Sequence, residues 1–145
     1  MSERPHKKLQ GWRKAMDLVV EVYKVTAAFP SEERFGLSAQ MRRAAVSVPS
    51  NIAEGAARGS TKFFGSSLQI ARASLSELDT QIVVAVRLGY FTQAVADDLN
   101  EAADEIERIL NGLIAATRRK IAAGAATLTS AAVLLTLLAK YWVTV

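Results

Sequence analysis

The stretch Arg42-Arg43-Ala44-Ala45-Val46-Ser47-Val48-Pro49-Ser50-Asn51-Ile52-Ala53-Glu54-Gly55 decides how this chain is read. Met41, Ala45, Val48 and Ile52 recur at the spacing of a buried helical stripe. Pro49 falls inside that stripe. A proline in a helix interior forfeits one backbone hydrogen bond and crowds the carbonyl four residues back, here Ala45, at about 3 kcal/mol. Packing or function must offset that penalty. Ser47 and Ser50 are the residues expected to satisfy the freed backbone groups. Gly55, Gly59 and the small Ala53, Ala56 and Ala57 allow a second backbone to come close.

A helical wheel gathers Gln40, Arg43, Ser47, Ser50, Asn51, Glu54 and Arg58 within an arc of about 100°. Glu54 and Arg58 stand four apart and can pair. Ser47 and Asn51 are weak helix formers and odd choices for a plain surface. Three readings follow: a solvated face, a polar seam between subunits, or a surface for a ligand or nucleic acid with Arg43 and Arg58 on phosphates. The residue pattern leaves all three open.

Three more helices surround this one. Leu18, Val22, Val25 and Phe29 define a first, from about Leu9, stopped at Pro30–Ser31. The second runs from about Glu32 or Leu37 to Arg58 and ends at Gly59. The third starts after Ser60, a good N-cap, and repeats Phe64, Leu68, Ala71, Leu75, Leu78, Ile82 and Ala85. Leu88–Phe91 breaks it. The fourth follows Thr92 with Val95, Leu99, Ala102, Ile106, Ile109, Leu113 and Ala116. Short connections make neighbours antiparallel. The expected fold is all-α, an antiparallel up-down-up-down four-helix bundle over residues 9–120, after a mobile N-terminus at 1–8.

Residues 121–145 are expected to form an extra apolar, helical C-terminal tail. Ile121 to Ala139 carries no charge, with Arg118-Arg119-Lys120 before it and Lys140-Tyr141-Trp142 after it. That pattern has the outline of a membrane-crossing helix. Its alanines, four Thr/Ser and one glycine dilute its apolar character. Packing on the bundle or in an oligomer interface is the favoured expectation, and a membrane anchor over 121–139 the alternative.

The net charge is +4, and the whole excess lies in residues 1–60, where ten Lys/Arg face six Asp/Glu. A modest basic balance permits contact with nucleic acid or an anionic surface. There is no cysteine, hence no disulfide, thiolate zinc site or thiol nucleophile. The single histidine, His6, has no carboxylate or hydroxyl near it in sequence. No G-x-G-x-x-G, P-loop, H-E-x-x-H or G-x-S-x-G occurs, and the Glu-x-x-His pairs of di-metal bundles are missing. Asp97, Asp98, Glu101, Asp104, Glu105 and Glu107 read as a solvated acidic face. No enzyme activity, cofactor or metal is expected. The N-terminal charges precede no apolar run, so no secretory signal is expected and the cytoplasm is the expected compartment.

The residues also resemble a known family. Trp12-Arg13-Lys14-Ala15-Met16-Asp17-Leu18 and Phe29-Pro30-Ser31-Glu32-Glu33-Arg34-Phe35-Gly36-Leu37 carry the likeness, with Gln40 through Gly55 its most specific block. Gly59-Ser60-Thr61-Lys62-Phe63, Ser74 through Gln81 and Leu88-Gly89-Tyr90 complete it. In order and spacing these resemble the proteins encoded by intervening sequences of bacterial 23S rRNA genes, a family that takes in accessory proteins of diversity-generating retroelements. The resemblance spans about Leu9 to Arg119. It implies a non-catalytic antiparallel four-helix bundle that assembles into a ring-like homopentamer. It also implies association with RNA or with a reverse transcriptase-like protein through basic surfaces. Carried onto this chain, it directs assembly or RNA contact to Arg42, Arg43, Asn51 and Glu54. The wheel adds Ser47 and Arg58. The tail from Ile121 lies beyond the resemblance.

Overall fold

A computed structural model describes the backbone of residues 4–143 and the side chains of residues 4–127. Four helices carry it: α1 (Gln10–Thr26), α2 (Leu37–Ala57), α3 (Thr61–Arg87) and α4 (Gln93–Val143). Each of α1–α2, α2–α3, α3–α4 and α1–α4 packs side by side, while the diagonal pairs make no close backbone approach. That is the closed square of an antiparallel up-down-up-down bundle.

The apolar stripes meet at its centre. Leu18, Val22, Met41, Val48, Ile52, Leu68, Leu78, Ile82, Ile106 and Leu110 are essentially without solvent contact. Burying side chains of this size is worth roughly 1.5–3 kcal/mol each. The ends of the helices follow local chemistry. Gly59 and Gly89 stand at φ +67° and +73°, just past α2 and α3, where an L side chain is strained. Ser60 occupies the N-cap of α3, yet its hydroxyl caps nothing; only its carbonyl engages, accepting from the Phe64 N–H at 2.9 Å.

Between α1 and α2 the chain makes a 3₁₀ turn at Ser31–Arg34 rather than running straight into a helix. Glu33 organises this corner. One carboxylate oxygen accepts the Tyr90 hydroxyl at 2.9 Å and the other the Leu37 N–H at 2.7 Å. A Cβ on Gly36 would collide with that second oxygen, so glycine here lets the carboxylate keep its place. The hydrogen bond to Glu33, then desolvation and the Glu33 and Glu32 charges, raise the Tyr90 phenol above its ordinary pKa of 10.0.

Residues 5–8, expected to be mobile, form a 3₁₀ turn laid against α2. His6 lies beside Trp12, with ring centroids 5.2 Å apart, and Arg13 Nε donates to the Lys7 carbonyl at 2.8 Å. At the other end, α4 outruns the bundle. Among its residues with described side chains, Ile114 and Thr117 are the last buried, and every residue from Arg118 to Thr127 is exposed. The expectation that the tail packs on the bundle therefore finds no support in 121–127, and its remainder, 128–145, lies outside the residues with described side chains. Within residues 4–127, whose side chains are described, no helix is long and apolar enough to cross a membrane.

Candidate functional site

The expected polar stripe of α2 divides between two neighbours. Ser47 and Asn51 turn toward α3. Asn51 Nδ2 donates to the Ser47 carbonyl at 2.8 Å and to Ser47 Oγ at 3.0 Å. Ser74 of α3 closes the network, its hydroxyl 2.9 Å from Ser47 Oγ and 3.1 Å from the Ile70 carbonyl. One turn on, a Cβ on Gly55 would sit 2.7 Å from Ser67 Cβ. The two backbones are thus as close as helices allow, and only glycine fits. Pro49 is buried within this tightly packed segment, and α2 continues through it without a break. Packing is what offsets its penalty. The serines do not play the role expected of them: Ser50 Oγ donates to the Val46 carbonyl at 2.8 Å, Ser47 faces Ser74, and neither hydroxyl donates to Ala45.

Glu54 and Arg58 form the expected pair on the exposed side, and the Arg58 guanidinium lies 5.4 Å from the centroid of the Phe63 ring. Both side chains are about half exposed, so the pair is worth little. It also ties up Arg58, which is less available to a phosphate than its spacing suggested.

Arg42 faces the other way, toward α1, and Arg43 points outward beside it. Arg42 Nε donates to Thr26 Oγ1 at 2.8 Å, and its guanidinium stacks 4.8 Å over the centroid of the Tyr23 ring. Thr26 can accept because its own proton goes to the Val22 carbonyl at 2.7 Å. Arg43 is exposed and donates to Gln40 Oε1. Arg34, arriving from the 3₁₀ turn, lies 5.4 Å from the centre of the largely exposed Phe35 ring. Tyr23, Arg34, Arg42, Arg43, Val46 and Ser47 line one open groove of about 470 Å³. Among the described residues, none of its three arginines is in an ion pair. The groove borders an apolar strip of α1 in which Val20 and Tyr23 are about half exposed.

Sequence reasoning reached Arg42 and Arg43 and missed Tyr23 and Arg34. Tyr23 lies at i−3 from Thr26 on the outward side of α1, and a lone outward tyrosine sends no signal. Arg34 belongs to the Phe29–Leu37 motif but joins the site only through the fold of the 3₁₀ turn. The acidic residues of α4 do not form a ligand set. Asp97, Asp98, Glu101 and Asp104 are exposed, and among the described residues no group of three acidic or histidine side chains could hold a metal ion.

Fold and site together define a small antiparallel helical bundle with a groove lined by three arginines beside α2. The chain belongs to the 23S rRNA-intervening sequence protein family, whose model matches residues 7–112. Among curated proteins none matches it. The chain is also similar to a protein of unknown function from the S23 ribosomal protein family of Bacteroides thetaiotaomicron, with a crystal structure at 1.70 Å resolution. The TM-score is 0.65 at 24% identity, over 72% of this chain and 97% of that one. At that identity the likeness speaks for the fold.

Proposed function

We propose that this protein is a non-catalytic, self-assembling helical bundle that associates with RNA or a ribonucleoprotein through the groove between α1 and α2. The observation that carries this reading is that Arg34, Arg42 and Arg43, none of them in an ion pair among the described residues, line one groove with the half-exposed Tyr23 ring. Guanidinium groups bind phosphate oxygens in forked geometry, and an aromatic face beside them offers a platform for a base. The family name, which refers to an intervening sequence of 23S rRNA, is compatible with this partner class. Affinity should be dominated by phosphate contacts and fall steeply with salt.

A second observation favours self-assembly. Exposed apolar side chains lie on two diagonally placed helices: Met16 and Val20 on α1, and Phe63, Ile70 and Val84 on α3. Two different apolar faces suit a head-to-tail contact, which closes into a ring when the rotation allows. A homopentamer is the ring that the family resemblance implies.

Filter binding of a structured RNA at low and high salt tests the first reading, with mass measured in solution beside it. Arg34→Ala and Arg43→Ala are expected to weaken binding while leaving oligomer mass and helicity intact. A fall in mass instead would place these arginines between subunits. If neither quantity moves, the groove is a solvated surface and the reading fails.

A further inference from the structure

We infer that the segment 121–139 inserts into a lipid bilayer and tethers the bundle to a membrane surface. This inference stands apart from the RNA reading and shares no residue with it.

Helix α4 is 51 residues long, and among its residues with described side chains Thr117 is the last to be buried in the bundle. After Thr117 no side chain through Thr127 is buried, and a Cβ on Gly124 would meet nothing within 4 Å. The family match ends at residue 112, and the Bacteroides protein covers its own length almost completely while leaving over a quarter of this chain unmatched. The extension is therefore an addition to a bundle that is already whole.

Its composition decides what surrounds it. No Asp, Glu, Lys or Arg occurs from Ile121 to Ala139. A helix that stood in water, alone or in a coiled coil, would need charged residues on its outer positions. Here no position of the wheel carries one over nineteen residues. At 1.5 Å per residue these span about 28 Å, close to the roughly 30 Å of a bilayer's hydrocarbon core. The polar residues that do occur are hydroxyls, which a helix can satisfy from its own backbone. Thr127 does so, its Oγ1 lying 2.8 Å from the Gly124 carbonyl and 3.2 Å from that of Ala123. Thr129, Ser130 and Thr136 have the same capacity.

The flanks match two interfaces. Arg118-Arg119-Lys120 stands where the helix leaves the bundle, all three exposed, and would meet anionic headgroups on the bundle's side. Lys140, Tyr141 and Trp142 follow the apolar run at the far interface, the place such residues favour. The heavier basic cluster beside the bundle keeps the bundle on the cytoplasmic side.

Flotation of the full chain with vesicles of phosphatidylethanolamine and phosphatidylglycerol tests this, followed by high-salt and alkaline carbonate washes. The chain should float and stay bound through both. The double variant Leu128→Arg, Leu134→Arg should lower the vesicle-bound fraction by at least about a hundredfold. Because both positions lie beyond the family match and beyond Thr117, the bundle's thermal melting should not change. Release by salt would show surface attachment through Arg118–Lys120 and overturn insertion. So would full flotation of the double variant. A chain that never floats and loses oligomer mass in the double variant would show tails packing on one another in water, also overturning it.

Discussion

The two flanks of α2 are built from similar short polar and basic residues and meet opposite fates. Toward α3, Ser47 and Asn51 are drawn into a closed network with Ser74, and Gly55 lets the backbones touch. Toward α1, Arg42 and Arg43 end in an open groove with no acidic partner. Polarity on a helical wheel therefore says little by itself about function. What separates the flanks is the size of the side chains: serine and glycine meet α3 at contact distance, whereas Arg42 reaches α1 through a long side chain, onto Thr26 and Tyr23, beside an open groove.

The contrast predicts a graded set of effects. Gly55→Val should act most strongly, because its Cβ would sit 2.7 Å from Ser67 Cβ and 3.1 Å from Phe64 Cδ2. Forcing the helices apart should cost about 2–3 kcal/mol, seen as a lower denaturation midpoint. An unchanged midpoint would mean that the α2–α3 flank is looser than its geometry. Next come the arginines. Arg42→Ala and Arg43→Ala should each weaken RNA binding about tenfold, near 1.4 kcal/mol, and reduce the salt slope by about one. Arg43→Ala should leave stability within about 0.5 kcal/mol, since it touches only Gln40. A large loss of stability there would erase the distinction between the flanks.

Smaller effects sharpen it. Ser47→Ala should cost about 1 kcal/mol, and adding Ser74→Ala should cost less than its single effect, because the two hydroxyls share one network. Strict additivity in that double-mutant cycle would show the network carries no coupling. Arg58→Ala should be the mildest, under about 0.5 kcal/mol by chemical denaturation, as expected of an exposed pair. A larger loss would mean that its stacking on Phe63 contributes more than the Glu54 pair does.

Most of the architecture was legible in advance. Spacings such as Leu18–Val22–Val25 and Leu68–Ala71–Leu75 report the helical period directly, and short breaks at Gly59 and Gly89 dictate antiparallel neighbours. The candidate site was half legible. Arg42 and Arg43 stood out from their own helix, but Tyr23 and Arg34 join them across 8 to 20 positions of sequence, and no local pattern connects them. The same limit misplaced the serines around Pro49, where the wheel gives an angle and not a partner.

Sequence by itself determined the helices, their order, the buried stripes and the uncharged run beyond Lys120, because each depends on the periodicity and chemistry of residues close together in the chain. Tertiary structure alone decided that Pro49 is tolerated by packing, that Ser47 and Asn51 are tied to Ser74 in one half-buried network, and that Arg34, Arg42 and Arg43 line one groove with Tyr23. Those outcomes depend on which helix lies alongside and how near it comes, a quantity set by the whole bundle and by no single segment of it.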